Sequence, residues 1–528
     1  MERRTVLSGL TAAALTRIRA AAAQGPKTIS GGFDVGPGGF PGNFNPLVAT
    51  AGFTWLSLYF EPLVMYNERL SGLEGALAQR WEAAGDNLTY TFHLADTKWH
   101  DGQDFTSADV AFTLSLAKNG ASGSIFANRL SPIAAVDTPD PRTAVIRLSR
   151  PFSALMDTLT RILIVPQHAL ASVPAAELPR HAWWSTTPVG TGPFRFSRYV
   201  SGQYVELLAS DTFRGGRPRV DRLVNRYFET TAGAVAALRS GEIQFSYVEA
   251  DDAASFRADT GKGNKDFRVI EGSSFVVNYL GFNTQVPLWK DVRVRQAVMH
   301  AIDRASIVQS LYGGAATPAQ CGFIAPQLVP GGLDAYGYDP DKAQSLLRAA
   351  NWDRTNGAKP IALLTYYNNK LANDVLAAVQ AMLGQVGINV VPRAVDTPTY
   401  TATVFATAKP DWDAFAMVYA GLQNGPDPGN LNVGLNKSEI PPAGANTMRV
   451  DIPSLSQALE AALGETNPAQ QAGRYGAVCR EMNAALPWAP LWVANRYGIA
   501  STRLRDFVWT PAPGGGPYQA HPERWDIV

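Results

Sequence analysis

The apolar positions between residues 291 and 302 recur three, four, seven and eight residues apart, which is the spacing of one buried helical face. These positions are Val294, Ala297, Val298, Ala301 and Ile302. Asp291 precedes them and is a suitable N-terminal cap, and a short apolar strand ends at Asn283. The order of strand, crossover and helix predicts that a second domain begins near residue 279.

Polar residues mark helix starts at three other places. Thr106 and Asp109 have the spacing of a capping box. Asp303 precedes a short helix that Gly313-Gly314 would end, and Asp339-Pro340 supplies a cap followed by proline at the first helical position. The sequence therefore predicts a helix after each of these caps.

Strands are indicated by alternation and by turn residues. Tyr90, Phe92 and Leu94 alternate with polar residues, and Asp101-Gly102 is a strong turn signal. The stretch from 360 to 394 has the order strand (360–367), helix (373–386) and strand (388–394), which predicts a partly parallel sheet.

The composition describes a globular protein with more than one core. The chain has 528 residues, of which 46% are apolar and 17% charged. A chain of this length divides into two or three subdomains. The formal net charge is +1 and no lysine-rich tail is present, so we expect no nucleic-acid partner.

The N-terminus has the pattern of an export signal over residues 1–23. Arg3-Arg4 precedes a modest apolar region ending at Leu15, and the small residues 20–23 follow it. The pattern is similar to a twin-arginine signal, although Arg17 and Arg19 interrupt it; the alternative is an amphipathic first helix. No cysteine lies near the cleavage region, so we expect a free periplasmic protein without a lipid anchor.

No apolar run long enough to span a membrane occurs.

Cys321 and Cys479 are the only cysteines. In an oxidising compartment they can form a structural disulfide. The sequence by itself does not place the two residues within bonding distance.

Motifs typical of enzymes are absent from the sequence. There is no GxSxG, HExxH, CxxC or phosphate-loop pattern. The histidines lack the close spacing of metal ligands; they are His93, His100, His168, His181, His300 and His521. We therefore expect no catalytic residue, no metal and no cofactor, and a secreted hydrolase remains only a remote alternative.

Several segments together resemble a known family. They are LAQRW (77–81), WHDG (99–102), PVGTGPFRF (188–196), LGFN (280–283), DVRVRQAV (291–298), AIDR (301–304) and YGGAATPA (312–319). These segments are similar to the signature of the large solute-binding proteins of peptide-type ABC importers, family 5, which include dipeptide, oligopeptide and nickel-type members. The resemblance extends over nearly the whole chain.

The resemblance implies an α/β fold with two lobes and an extra α+β subdomain inserted in the first lobe. The expected parts are the signal peptide (1–23), the first lobe (24–65, 189–278 and 495–528), its inserted subdomain (66–188) and the second lobe (279–494). The two lobes close on a solute by a hinge motion. Partners would be a membrane permease and its ATPases, to which a monomeric binding protein delivers the solute.

The resemblance also implies where the ligand lies. Phe33 and Asp34 would form the first-lobe edge, and Tyr419, Ala420 and Gly421 would face them from the second lobe. The other expected ligand-binding residues are Trp184, Tyr279, Asn283, Trp412 and Asp427. Most of these are aromatic or backbone contacts of the kind that hold an extended peptide.

Gly421 departs from the family pattern. Peptide-binding members have an aspartate at this place, which pairs with the terminal ammonium of the ligand. Asp427 or Asp34 can replace that carboxylate, since a buried ammonium without a counter-charge is costly. The expected solute is peptide-like; the alternative is an oligosaccharide, an opine or another non-peptide solute in the same fold.

Overall fold

The computed structural model describes residues 25–32, 44–49, 53–263, 265–322, 328–407, 410–423, 425–511 and 519–528. The expected signal peptide and the expected ligand residues Phe33 and Asp34 lie outside these ranges. None of the described helices is both long enough and apolar enough to cross a bilayer.

In the described residues, the first part of the chain contains eleven strands and seven α-helices. They are β1 (Thr28–Gly32), α1 (Phe53–Leu56), β2 (Val64–Tyr66), β3 (Leu73–Gly75), β4 (Ala78–Ala83), β5 (Thr89–Leu94), α2 (Ser107–Lys118), β6 (Ile133–Asp140), β7 (Thr143–Leu148), α3 (Leu155–Arg161), α4 (Gln167–Leu170), α5 (Trp183–Thr186), β8 (Phe194–Val200), β9 (Tyr204–Ala209), β10 (Arg222–Arg226), α6 (Thr231–Arg239), β11 (Phe245–Val248) and α7 (Ala250–Gly261).

The second part begins with a long strand and ends with two short ones. Its elements are β12 (Phe267–Phe282), α8 (Val292–Ala301), α9 (Arg304–Leu311), β13 (Ala316–Pro318), α10 (Pro340–Ala349), α11 (Trp352–Thr355), β14 (Ile361–Thr365), α12 (Lys370–Gln385), β15 (Val390–Ala394), α13 (Thr397–Val404), β16 (Met417–Gln423), α14 (Leu431–Leu435), α15 (Pro453–Gly464), α16 (Pro468–Ala485), β17 (Trp488–Ser501), β18 (Leu504–Arg505) and β19 (Asp526–Ile527).

The predicted helix starts are confirmed. Thr106 and Asp109 form the capping box of α2. The carboxylates of Asp291, Asp303 and Asp339 accept hydrogen bonds from the backbone N–H of the first turns of α8, α9 and α10 at 2.8–2.9 Å. The predicted parallel pair is β14 with β15, in register from Ile361–Val390 onwards, with α12 as the crossover.

One sheet runs through both lobes in the order β15-β14-β16-β12-β17-β11-β1-β10-β9-β8, with β13 paired to β17. In the first lobe β17 continues the sheet through β11, and in the second lobe β12 continues it through β16. A separate antiparallel sheet, β4-β5-β7-β6, covers residues 78–148. The two lobes are thus joined through the β12–β17 pair.

The β12–β17 ladder is interrupted between the lobes. It runs from Phe267–Ser501 to Gly281–Trp488, with register shifts between Ser273 and Val277 and between Asn278 and Tyr279. A ladder loses hydrogen bonds and bends at such irregularities. The interruption lies close to residue 279, where the sequence predicts that the second lobe begins.

Each lobe has its own apolar core. Trp55, Trp99, Trp184 and Trp525 are buried in the first-lobe core. In the second lobe two clusters contain, respectively, Trp492 and Trp488. Separate cores are what a protein with two rigid bodies requires.

Cys321 and Cys479 are joined in a disulfide. Their Cα atoms are 5.6 Å apart, and the bond links positions separated by 158 residues. Both residues are buried in the second-lobe cluster that contains Trp488. The bond ties the segment after β13 to α16.

The double substitution Cys321→Ala/Cys479→Ala should lower the free energy of unfolding of the second lobe by about 2–4 kcal/mol, because the cross-link restricts the unfolded chain. Urea denaturation followed by far-UV circular dichroism measures the change. The wild-type protein treated with reductant should lose a similar amount. Equal stability of the bonded and substituted proteins would contradict this prediction.

Candidate functional site

The end of β16 has one side without a strand partner. On one side, residues 417–423 pair with β12. On the other side, β14 pairs only with Met417 and Val418, at the start of the strand. Gly421, Leu422 and Gln423 are partly exposed. Extended backbone that lacks a neighbouring strand can accept an added one, so this edge can bind the main chain of an extended ligand.

Five tyrosines lie beside this edge: Tyr279, Tyr366, Tyr367, Tyr400 and Tyr419. We call them the tyrosine cluster. The ring of Tyr366 lies 4.9 Å from that of Tyr400 and 4.5 Å from that of Tyr367, whose ring is 5.5 Å from that of Tyr419. Tyr279 stacks on Trp488 at 4.2 Å. The cluster is therefore a continuous aromatic wall.

The tyrosine cluster is neutral near pH 7. Burial raises the pKa of Tyr279, Tyr366, Tyr367, Tyr400 and Tyr419 above the usual value. The Tyr366 hydroxyl donates to the Tyr367 hydroxyl at 3.3 Å. Protonated phenols offer apolar faces and uncharged hydrogen-bonding groups. The wall suits a ligand surface of mixed apolar and polar character.

Gly421 is required by the packing around it. A Cβ at this position would lie 2.5 Å from Val276 Cγ1 and 2.6 Å from the Tyr367 hydroxyl oxygen. Both distances are too short for any side chain. An aspartate at this position would therefore require Val276 or Tyr367 to move.

The predicted ligand residues do not all come together. Tyr279, Tyr419, Ala420 and Gly421 lie side by side on β12 and β16. Asn283 is fully buried, and its side chain accepts a hydrogen bond from Gln285 N at 3.2 Å, which closes the turn after β12.

The two predicted tryptophans take part in packing. Trp184 is buried in the first-lobe core and donates Nε1–H to the Leu178 carbonyl at 2.7 Å; its place is a correction to the expected cleft position. Trp412 is half-buried, 5.5 Å from the ring of Phe415 and beneath the Arg449 guanidinium at 5.0 Å. The sequence does not distinguish a core aromatic from one in a cleft.

Asp427 lies where the two lobes meet. Its Oδ1 accepts from Gly429 N at 2.7 Å. Burial and the negative charge of Asp157 raise the pKa of Asp427 to about 7, against the effects of the Gly429 N–H and of Arg161. The turn that begins at Asp427 lies against the first lobe, since a Cβ on Gly429 would lie 2.8 Å from the Cβ of Ala154, which directly precedes α3.

A polar cavity of about 470 Å³ opens next to this boundary. Its wall includes charged and amide side chains of both lobes: Arg129, Arg150, Asp157, Asn430, Glu439 and Glu460. No group of three or more metal-ligating side chains occurs among the residues that the structure describes.

The sequence analysis missed Tyr366, Tyr367 and Tyr400. A signal for the first two was present, because they directly follow β14, and ligands of parallel sheets bind at the carboxyl ends of strands. Tyr400 lies within α13, and no local pattern indicated that it would meet them.

The chain is similar in sequence to known proteins. A family model described as "Bacterial extracellular solute-binding proteins, family 5 Middle" matches residues 72–439. A Brucella melitensis protein named as a candidate ABC transporter peptide-binding protein is 60% identical over 509 residues, which cover 96% of this chain and 95% of that protein.

Two solved structures share the fold. The oligopeptide-binding protein AppA from Bacillus subtilis, in complex with a nonapeptide, gives a TM-score of 0.82 at 24% identity, covering 95% of this chain and 100% of that one. AgaA from A. tumefaciens R10, in complex with agropinic acid, gives 0.79 at 24% identity, with 95% and 98% covered. The predicted two-lobed α/β fold is confirmed.

Trp412→Ala should lower the free energy of unfolding by about 2 kcal/mol, because it removes a half-buried ring together with its contact to Arg449. Trp412→Phe, which keeps a ring, should cost less. Urea denaturation of both variants measures the difference. A wild-type midpoint for Trp412→Ala would contradict the packing role and assign the ring to ligand contact alone.

Proposed function

The chain belongs to family 5 of the bacterial extracellular solute-binding proteins, and on that premise we propose that its ligand is an extended, peptide-like solute held between the two lobes. It is the solute-binding component of a peptide-type ABC importer. The solute is delivered to the membrane permease and its ATPases and leaves the protein unchanged.

The partner-free side of β16 is the observation that most supports a peptide-like ligand. Among the described residues the strand pairs beyond Val418 with β12 alone, so the main-chain groups of Tyr419 to Leu422 on the other side have no strand partner. A peptide added there would gain main-chain hydrogen bonds, and the tyrosine cluster would contact its side chains. This mode tolerates many sequences, because main-chain groups are common to all peptides.

A non-peptide solute such as an opine is the second candidate, and Gly421 is the observation that favours it. The space of the missing carboxylate is filled by Val276 and the Tyr367 hydroxyl. A wall of neutral phenols suits a ligand without a terminal ammonium. Asp427 lies at the lobe boundary and is the carboxyl group that can replace the missing aspartate.

Other parts of the proposal concern the protein as a whole. Residues 1–23 direct export by the twin-arginine route to the periplasm, where the protein stays free of a lipid anchor. It acts as a monomer, performs no catalysis and has no nucleic-acid partner.

Mass spectrometry of the solute released by denaturing the purified protein tests the ligand class. Calorimetric titration with trialanine, a defined nonapeptide and agropinic acid then ranks the candidates. Tight binding of a peptide supports the main proposal, and exclusive binding of agropinic acid supports the second candidate. Turnover of any solute would overturn the proposal that the protein performs no catalysis.

Gly421→Ala should weaken peptide binding at least tenfold, because the added methyl group must displace Val276 or the Tyr367 ring. Gly476→Ala is the matched control, since a Cβ at that buried helical position has no atom nearer than 3.8 Å. Tyr366→Phe, which removes only a hydroxyl group, tests the same wall without adding volume. Wild-type affinity in both Gly421→Ala and Tyr366→Phe would place the ligand elsewhere.

A further inference from the structure

The last turn of α15 contributes side chains to the cores of both lobes. Leu459 and Ala462 are buried in the second-lobe cluster that contains Trp488. Leu463, the next residue, is 5% exposed and packs into the first-lobe core instead. Among the described residues between 279 and 494, it is the one buried member of that core. The end of this helix is therefore a place where the second lobe reaches into the first.

The backbone of this turn is also hydrogen-bonded across the lobes. Ser153, in the first-lobe segment between β7 and α3, donates its N–H to the Leu463 carbonyl at 2.8 Å. Its Oγ donates to the Ala462 carbonyl at 3.4 Å. Carbonyl groups in the last turn of a helix have no partner inside the helix. The Leu463 carbonyl thus obtains a hydrogen bond from the other lobe.

Gly429 completes this contact, because the space beside it is already filled. A Cβ on Gly429 would lie 2.8 Å from the Cβ of Ala154, 2.8 Å from Asp427 Oδ1 and 3.2 Å from Leu463 Cδ2. The first distance is too short for two carbon atoms that are not bonded, so any side chain here would push the first lobe away. We call the five residues of this contact the latch: Ser153, Ala154, Gly429, Ala462 and Leu463.

The latch borders the polar cavity at the lobe boundary. Its residues Ala154, Gly429 and Leu463 belong to the cavity wall. Asn128 of the first lobe and Glu439 of the second lobe belong to the same wall. The Asn128 Nδ2 donates to the Glu439 Oε2 at 3.4 Å, which is a further contact between the lobes. Separating the latch would therefore widen the cavity.

We propose that the latch keeps the lobes closed in the absence of a solute, so that parting the latch controls the exchange of solute. This inference rests on the two-lobed capture proposed above. Opening moves Leu463 from an apolar core into water, which costs free energy in proportion to the apolar area exposed. None of the latch contacts involves a solute. The closed form is thus favoured by the protein itself, and a bound solute adds only its own contacts.

Small-angle X-ray scattering of the full-length protein, freed of solute by unfolding and refolding, tests the proposal. Leu463→Ala should have a larger radius of gyration than the wild type, because loss of a buried leucine should lower the ratio of closed to open protein about a hundredfold. Leu459→Ala is the matched control. Leu459 is a buried leucine one turn earlier in the same helix, but it packs within the second-lobe core, so its variant should keep the wild-type radius.

Gly429→Ala tests the same contact by adding a methyl group instead of removing one. Its radius should be larger than that of the wild type, because Ala154 must move away. Gly476→Ala should keep the wild-type radius, since its added Cβ has no atom nearer than 3.8 Å. This second pair of variants keeps the proposal testable if Leu463→Ala fails to fold.

Larger radii in the folded latch variants, with wild-type radii in both controls, support the proposal. A wild-type radius in either folded latch variant would overturn it, and so would a larger radius in Leu459→Ala. Because no solute is added, a failure of the protein to bind peptides would leave these results intact, and the two proposals can fail separately.

Discussion

Strands β12 and β17 pass between the lobes together. Their pairing is irregular between Ser273 and Val277, where the register of the ladder shifts. In the interrupted stretch Phe275 has a positive φ of 55°, a conformation that non-glycine residues seldom adopt. Val276 and Asn278, next to it, lie against Gly421 on β16. The bending point and the wall of the candidate site therefore share residues, so a rotation of the lobes changes the wall directly.

The segment from β16 to α14 connects the tyrosine cluster with the contact between Gly429 and Ala154. Gly421 stands at one end of it, against Tyr367, and Gly429 stands at the other end, against Ala154. Both glycines are needed because backbone packs against side chains with no space for a Cβ.

Charge is distributed unevenly over this segment. The tyrosine cluster is neutral, since burial raises the pKa of its phenols. The ionised groups are concentrated at the lobe boundary, around Asp157, Asp427 and Arg129. The neutral and the charged parts of this segment are therefore separate in space.

The sequence alone determined the features that depend on near neighbours in the chain. The caps at Asp291, Asp303 and Asp339 and the parallel pair around α12 follow from local spacing, because a cap or a periodic face acts within a few residues. The family was indicated by the resemblance of several short segments to its signature. The positions of Tyr279, Tyr419 and Gly421 on adjacent strands followed from the family pattern.

Only the tertiary structure decided which distant residues meet. It brought Cys321 to Cys479 and Ala154 to Gly429, and it placed Trp184 in a core instead of a cleft. It also showed that Tyr367 occupies the space beside Gly421. These outcomes depend on how whole elements pack, and packing is set by the sum of many weak contacts between segments far apart in the chain. No local pattern in the sequence encodes that sum.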